Sequence, residues 1–285
     1  MHRILSNEAL APDVHRLWVE APHVVRKRRP GQFVIVRATE DGERIPLTIA
    51  DVDQARGAIA LIIQGVGKTT RLINELAAGD ALLDVAGPLG RPTHIEKGAR
   101  VCCIGGGIGT AVVYPIACGV KALGGHVVTI IGGRTQDLVI LEKELRDVSE
   151  EVVVTTDDGS YGMKGLVTDA LTALVHRGER FDEVVAVGPL PMMRAVVEVT
   201  RPLGLRTTVS LNPIMVDGTG MCGGCRVVVD GQPKFVCVDG PEFDGHQVDF
   251  DELATRLRAY REQEQLELEH YERERALRIE AMGTV

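Results

Sequence analysis

The chain has 285 residues, 45% of them hydrophobic and 25% charged, with 32 lysines and arginines against 40 aspartates and glutamates for a formal net charge of -8. That length and composition suit a soluble protein of two domains. The acidic balance excludes sequence-independent nucleic-acid binding, and no window reaches the apolar length needed to cross a bilayer. The opening M-H-R-I-L-S-N-E-A-L lacks a cationic stretch followed by an apolar one, and Cys102, Cys103 and Cys118 lie in or beside apolar runs. A cytoplasmic protein with reduced, buried thiols at those three positions is expected.

Residues 1–97 read as an antiparallel barrel or sandwich. Short runs rich in Val, Ile and Leu at Val14–Glu20, Phe33–Val36, Ile59–Gln64 and Ala81–Val85 are separated by Gly, Pro and Asp turns. Between them, E-R-I-P-L-T-I-A offers a cation at Arg44, a turn stiffened by Pro46 and a hydroxyl on Thr48 at a strand start. Such a set suits a pyrophosphate and a ring nitrogen, although a surface arginine beside a strand would look the same. Q-G-V-G-K-T-T, from Gln64 to Thr70, fails as a phosphate-binding P-loop, because Ile62 stands where the first glycine is needed. What remains is a glycine turn with two hydroxyls opening a helix expected over Thr70–Ala78, either an anion site or a plain N-cap.

Residues 98–210 alternate strands and helices, which predicts a doubly wound parallel sheet. Strands are expected at Arg100–Ile104, His126–Ile131, Val152–Thr155 and Val184–Val187, and helices at Ala111–Leu123, Leu138–Asp147 and Gly165–His176. Ligands of such sheets bind at the carboxyl ends of the strands. Four segments fall there: G-G-G-I-G-T over Gly105–Thr110, G-G-R-T-Q-D-L with Arg134 and Asp137, the loop Asp157–Gly165, and the loop G-P-L-P-M-M over Gly188–Met193. Together they predict a nucleotide site, although Thr110 replaces the last glycine of the usual dinucleotide fingerprint and no acid ends the second strand.

Residues 211–248 hold D-G-T-G-M-C-G-G-C-R-V and, further on, Cys237. The plant-type ferredoxin spacing C-x4-C-x2-C with a distant fourth cysteine is met at three places, with Asp217 in the first. A 2Fe-2S cluster held by Cys222, Cys225, Cys237 and the Asp217 oxygen fits this pattern. So does a Cys3His zinc site completed by His246, and Asp217 could instead open the glycine turn by accepting backbone amides. From Phe250 a long terminal helix is expected over residues 249–285. Its alternating charges, running to Arg278, suit a solvated face, while Leu266, Leu268 and Tyr271 could seat against a partner.

R-x-P-L-T, G-G-G-I-G-T-A and G-P-L-P-M together resemble the ferredoxin-NADP reductase superfamily. D-G-T-G-M-C-G-G-C-R-V and F-V-C-V-D-G-P-E-F-D narrow the resemblance to the small, FAD- and 2Fe-2S-containing subunit of NADH-dependent ferredoxin:NADP oxidoreductases. It covers residues 1–260 and implies an FAD barrel, an NAD(H) domain, a cluster segment and a terminal helix. FAD is implied at Arg44, Pro46, Leu47, Thr48, Ile62, Ile63, Gln64, Gly67, Thr69 and Thr70, with Thr48 as the candidate hydrogen-bonding group at the flavin. NAD(H) is implied at Gly106, Gly107, Ile108, Gly109, Thr110, Arg134, Asp157, Asp158, Gly188, Pro189 and Met192. Arg44 departs from the superfamily by standing four residues before Thr48 rather than three.

The implied activity passes electrons between NAD(H), FAD and the cluster, to or from a larger glutamate-synthase-like flavoprotein and iron-sulfur subunit, with ferredoxin as a further partner. No membrane or nucleic acid is involved. NADH is favoured over NADPH by the resemblance and by Asp137, which would repel a 2'-phosphate, whereas Arg134 and Thr135 would attract one. The related electron-transfer subunit of dihydroorotate dehydrogenase, with four cysteine ligands, is the alternative. A zinc-stabilised nucleotide-binding module without redox activity is the other.

Overall fold

The computed structural model describes residues 1–282, so residues 283–285 of the expected terminal helix lie outside the described residues. The N-terminal part comprises β1 (His2–Ala11), β2 (Val14–Glu20), a short helix α1 (Pro22–Val25), β3 (Phe33–Arg37), β4 (Arg44–Asp53), β5 (Ala58–Gln64), α2 (Lys68–Asn74), β6 (Ala81–Leu82) and β7 (Asp84–Leu89). The strands form a nearly closed antiparallel barrel in the order β6-β1-β2-β5-β4-β3-β7. Alternation explains its filling: Leu17 and Val19, Val34 and Val36, and Ile59, Leu61 and Ile63 all point into one core. The run expected over Ala81–Val85 is two strands rather than one, and α2 starts and ends earlier than the expected helix. Its first turn is closed by Thr70, whose hydroxyl accepts from the Gly67 amide at 3.0 Å.

Strand β4 corrects the expected turn around Pro46. Residues 44–48 pair only with β3, and residues 49–53 only with β5. The first half therefore has one open edge, where a proline that cannot donate is tolerated. Thr48 lies in mid-strand, not at a strand start.

The second part comprises β8 (Arg100–Gly106), α3 (Thr110–Ala122), β9 (His126–Gly133), α4 (Glu142–Val148), β10 (Glu151–Thr156), β11 (Met163–Lys164), α5 (Val167–His176), β12 (Glu183–Val187), α6 (Leu190–Thr200) and β13 (Thr207–Ser210). A hairpin of β14 (Arg226–Val229) and β15 (Gln232–Phe235), a short helix α7 (Val236–Asp239) and β16 (Glu242–Asp244) follow. The sheet runs β11-β10-β9-β8-β12-β13-β16, parallel throughout except that β16 joins its edge antiparallel. Three expectations are corrected here. Residues 138–147 are a 3-10 turn, a short extended stretch and then α4, with Leu141 at φ 58 as the break. Gly188–Met193 is not a loop, because Pro189 caps α6 and Met192 and Met193 lie in its first turn. Cys102 and Cys103 are fully buried, whereas Cys118 is only partly so.

The terminal helix is broken into α8 (Phe250–Arg256) and α9 (Arg261–Met282). Asp249 caps α8 by accepting the Asp251 and Glu252 amides. Tyr271 does not wait for a partner: it is 4% exposed, and its hydroxyl donates to Glu75 of the barrel at 2.8 Å.

Glu242, on β16, ties the sheet edge to the stretch between the two domains by accepting from Thr93 Oγ1 at 2.6 Å. Burial, with Glu183 opposite, pushes its carboxyl up to about 7 from 4.5. A carboxyl raised on folding binds its proton more tightly in the folded state. Its contribution is therefore whole below the unfolded value and is lost as pH rises through about 4.5 to 7. Glu242→Gln keeps the acceptor for Thr93 and removes the titration. The variant is expected to gain about 3 kcal/mol over the parent well above pH 7 and none near pH 4, read from urea unfolding across that range.

Candidate active site

The parallel sheet reverses its winding between β8 and β12. Strands β9 and β10 extend to one side and β13 to the other, and a crevice opens at their carboxyl ends at such a switch point. The two strand ends are locked together. A Cβ on Gly109 would stand 2.1 Å from the Val187 carbonyl oxygen, and one on Gly106 would stand 2.2 Å from Met192 Sδ. Gly107 behaves differently: at φ +55 it has open space where a side chain would go. Its bare backbone thus faces the crevice at the head of the 13-residue α3, an arrangement suited to a pyrophosphate.

The crevice holds about 820 Å³, within the usual span of about 300–1,000 Å³ for cofactor sites. Its walls come from three parts of the chain. The barrel supplies Phe33, Pro46, Thr48, Gln64 and Val66, the open edge of β4 thereby facing the cavity. The sheet supplies Gly106, Gly107, Ile108, Gly109, Arg134, Asp157, Gly188, Pro189 and Met192, and the chain after β13 supplies Asn212, Met215 and Pro241. Twelve of the residues singled out in sequence therefore meet around one cavity, Thr48 among them.

Others do not reach it. Arg44 is exposed at the start of β4, opposite Arg37. Leu47 and Ile63 pack in or against the barrel core, and Ile62 packs on the core beneath α3. Thr110 is fully buried under β8, with its hydroxyl unpaired. Thr69 donates to Glu43, Thr70 closes the first turn of α2, and Gly67 caps it. The Asp158 carboxylate accepts from the amide and hydroxyl of Ser160, at 2.9 and 2.7 Å, and so builds its own loop. Ser210 and Asn212 were not singled out, since β13 has only four residues and too short an alternation to declare itself.

The cysteine segment lies against this site. The D-G turn at Asp230 and Gly231, both with positive φ, folds β14 onto β15. That hairpin brings Cys225, just before it, to Cys237, just after it, with the Cys237 amide 3.4 Å from Cys225 Sγ. Both are buried, whereas Cys222 is exposed on the glycine turn. The Asp217 carboxylate accepts the Thr219 and Cys222 amides, each at 2.7 Å, and the Thr219 bond foremost holds it below the usual carboxylate range. His246 turns elsewhere: its Nε2 meets Thr200 Oγ1 at 3.1 Å, a position that does not support it as a fourth zinc ligand. Among the described residues no three His, Cys, Asp or Glu side chains are gathered into one metal-binding group.

The donor set nevertheless fits an iron-sulfur cluster. Burial pushes the Cys237 thiol up to about 12, so a metal centre is what would hold it as thiolate at neutral pH. Three soft sulfurs on one glycine turn and its hairpin match iron-sulfur ligation. The turn also abuts the barrel, since a Cβ on Gly218 would stand 2.6 Å from Leu89 and 2.9 Å from Ile35. Phe33, Ile35, Met215, Cys225 and Cys237 share one buried core.

A flavin-type barrel, a nucleotide sheet with its crevice at the switch point and a cysteine segment packed on both define a reductase of the ferredoxin-NADP reductase class. A family model described as the oxidoreductase FAD-binding domain matches residues 2–94, and one described as the iron-sulfur cluster binding domain of dihydroorotate dehydrogenase B matches residues 212–249. A Thermotoga maritima protein described as a homolog of the electron transfer subunit of dihydroorotate dehydrogenase B (NAD(+)) is 49% identical, over 95% of each chain. The electron transfer subunit of that enzyme from Geobacillus thermodenitrificans is 34% identical, over 86% of this chain and 96% of its own. A solved structure of NADH-dependent reduced ferredoxin-NADP oxidoreductase, studied for flavin-based electron bifurcation, is 48% identical, with a TM-score of 0.90 over 95% of this chain and 98% of that one. The chain belongs to the family of electron-transfer subunits formed by these proteins, with an FAD-binding domain and an iron-sulfur-binding domain. Its likeness in sequence to the small subunit of NADH-dependent ferredoxin:NADP oxidoreductases holds.

Proposed function

We propose that the chain carries electrons between NAD(H), bound along the sheet side of the crevice, and a 2Fe-2S cluster on the cysteine turn, with FAD bound on the barrel side between them. The observation that carries this reading is a crevice walled at once by barrel, sheet and the chain leading to the cysteine turn, with the turn packed on the barrel behind it. FAD, when bound, supplies the exchange between two-electron hydride chemistry and one-electron transfer. The residues bind and orient. Thr48 and Gln64 offer hydrogen bonds from the barrel wall, and Phe33, Val66, Ile108 and Met192 exclude water. The Gly106–Gly109 backbone receives a pyrophosphate. Asp157 offers a carboxylate to a ribose, and its negative charge, close in sequence to that of Asp158, supports NADH over NADPH even with Arg134 beside it. Cys222, Cys225, Cys237 and Asp217 hold the cluster.

As an electron-transfer subunit the protein works with a larger catalytic partner. We infer that this partner is a glutamate-synthase-like flavoprotein and iron-sulfur subunit, that ferredoxin is a further redox partner, and that the complex is cytoplasmic. Among the described residues no helix is long and apolar enough to cross a membrane. The match of residues 212–249 to the dihydroorotate dehydrogenase B cluster domain favours a second reading, in which the partner is the orotate-forming subunit. Affinity purification of the tagged chain from its own cells is expected to bring down the glutamate-synthase-like subunit. Recovery of a dihydroorotate dehydrogenase catalytic subunit instead would decide for the second reading.

A further inference from the structure

Helix α9 crosses back to the barrel and meets α2 along its length. Lys68 Nζ lies 2.7 Å from Glu267, Arg71 pairs with Glu272, and Glu75 takes both the Tyr271 hydroxyl at 2.8 Å and the Arg275 guanidinium. Tyr271 is the one buried side chain of α9 among the described residues. Over residues 261–277 the helix offers too little buried apolar surface to be seated by a hydrophobic stripe. Its seat is mainly ionic.

Arg71 does more than pair. Its Nε donates to the Gly65 carbonyl at 3.2 Å, and the Gly65 amide donates to the Asp13 carbonyl at 2.7 Å. Gly65 lies between Gln64 and Val66, both of which line the crevice. A chain of contacts therefore runs from Glu272 on α9 through Arg71 to the backbone of the loop at the cavity's barrel wall. We propose that α9 is an ionic clasp on α2, and that Arg71 and Tyr271 are positioning residues that hold the Gln64–Gly67 loop for flavin retention. This rests on the flavin seat proposed above for the barrel side of the crevice.

Exposed ion pairs are individually weak and are screened by salt, so the clasp loosens as ionic strength rises. The test follows flavin release from the full-length holoprotein by the recovery of free-flavin fluorescence, at low and at high sodium chloride. In the parent, release is expected to quicken about three- to tenfold with salt. Glu272→Arg, which sets two guanidinium groups against each other, is expected to release flavin about three- to tenfold faster at low salt and to quicken less with added salt than the parent. Glu272→Asp, which keeps the charge, is expected to behave as the parent. The thermal midpoint should stay within a few degrees throughout, since Glu272 is a surface group. Equal release from parent and Glu272→Arg at low salt would overturn the clasp. A parent protein that holds no flavin would overturn the flavin seat itself.

Discussion

Gly109→Ala is expected to lower the thermal midpoint by roughly 6–12 °C and to abolish pyridine-nucleotide binding. The cause is distance rather than dihedral freedom. Gly109 has ordinary helical angles, φ -59 and ψ -22, which alanine would adopt readily. A methyl group there, however, would stand 2.1 Å from the Val187 carbonyl oxygen and 2.5 Å from its carbon. These are backbone atoms at the end of β12, a central strand of the sheet, so neither side can yield as a flexible side chain would. Pushing the Gly109 turn away from the end of β12 would cost at least about 3 kcal/mol and would spread the switch point that shapes the crevice. Calorimetry and nucleotide titration check it. Gly107→Ala is the control: its added methyl group meets nothing within 4 Å, although its φ of +55 adds modest strain. A Gly109→Ala protein that melts and binds as the parent does would mean that the turn at Gly109 does not press on the end of β12.

Asp217→Ala is expected to lose or weaken iron binding, whereas Asp217→Cys keeps a 2Fe-2S cluster with a shifted visible spectrum and reduction potential. The carboxylate has two roles to be separated. Its oxygens accept the Thr219 and Cys222 amides and so close the glycine turn, yet a carboxylate has capacity for more than two partners. Exchanging a hard oxygen for a soft thiolate changes the charge that one iron donates and accepts. Asp217→Asn separates the roles in part, because its single carbonyl oxygen keeps one of the two amide bonds of the turn while its NH2 group opposes the other donor, and it is a poor iron ligand. It is expected to stay folded, with a thermal midpoint within a few degrees of the parent's since the turn is exposed, and to hold less iron. Full cluster occupancy in Asp217→Ala, with an unchanged EPR signal and potential, would leave Asp217 as a turn residue only.

The barrel strands β2 and β5 and the parallel core of the second sheet were legible because burial imposes a period that the residues display. Leu17–Glu20 alternates, and the carboxyl ends of β8 and β9 carry the glycines a bound nucleotide requires. Strand β4 was not legible, since Pro46 signals a turn wherever both strand edges are paired, and only the exchange of partners at residue 49 leaves an edge free for it. The start of α6 was hidden for a similar reason: G-P-L-P-M-M has two prolines, which read as loop, yet Pro189 and Pro191 occupy positions where a helix has no use for their missing amides. The cluster segment was legible as spacing. Its placement against Ile35 and Leu89 was not, because nothing local in D-G-T-G-M-C records which surface the turn will meet. The seat of Tyr271 on Glu75 lies 196 residues away in sequence, beyond any pattern that a single helix displays.

The central claim is that one chain joins a pyridine nucleotide, a flavin and an iron-sulfur cluster. Anaerobic titration of the purified protein with NADH, and in parallel with NADPH, followed by visible absorption and EPR, tests it most directly. A yellow-brown protein is expected, whose flavin absorption bleaches on adding NADH, faster than with NADPH, followed by the EPR signal of a reduced 2Fe-2S centre. A colourless protein that contains zinc, shows no visible absorption and does not respond to NADH or dithionite would contradict it.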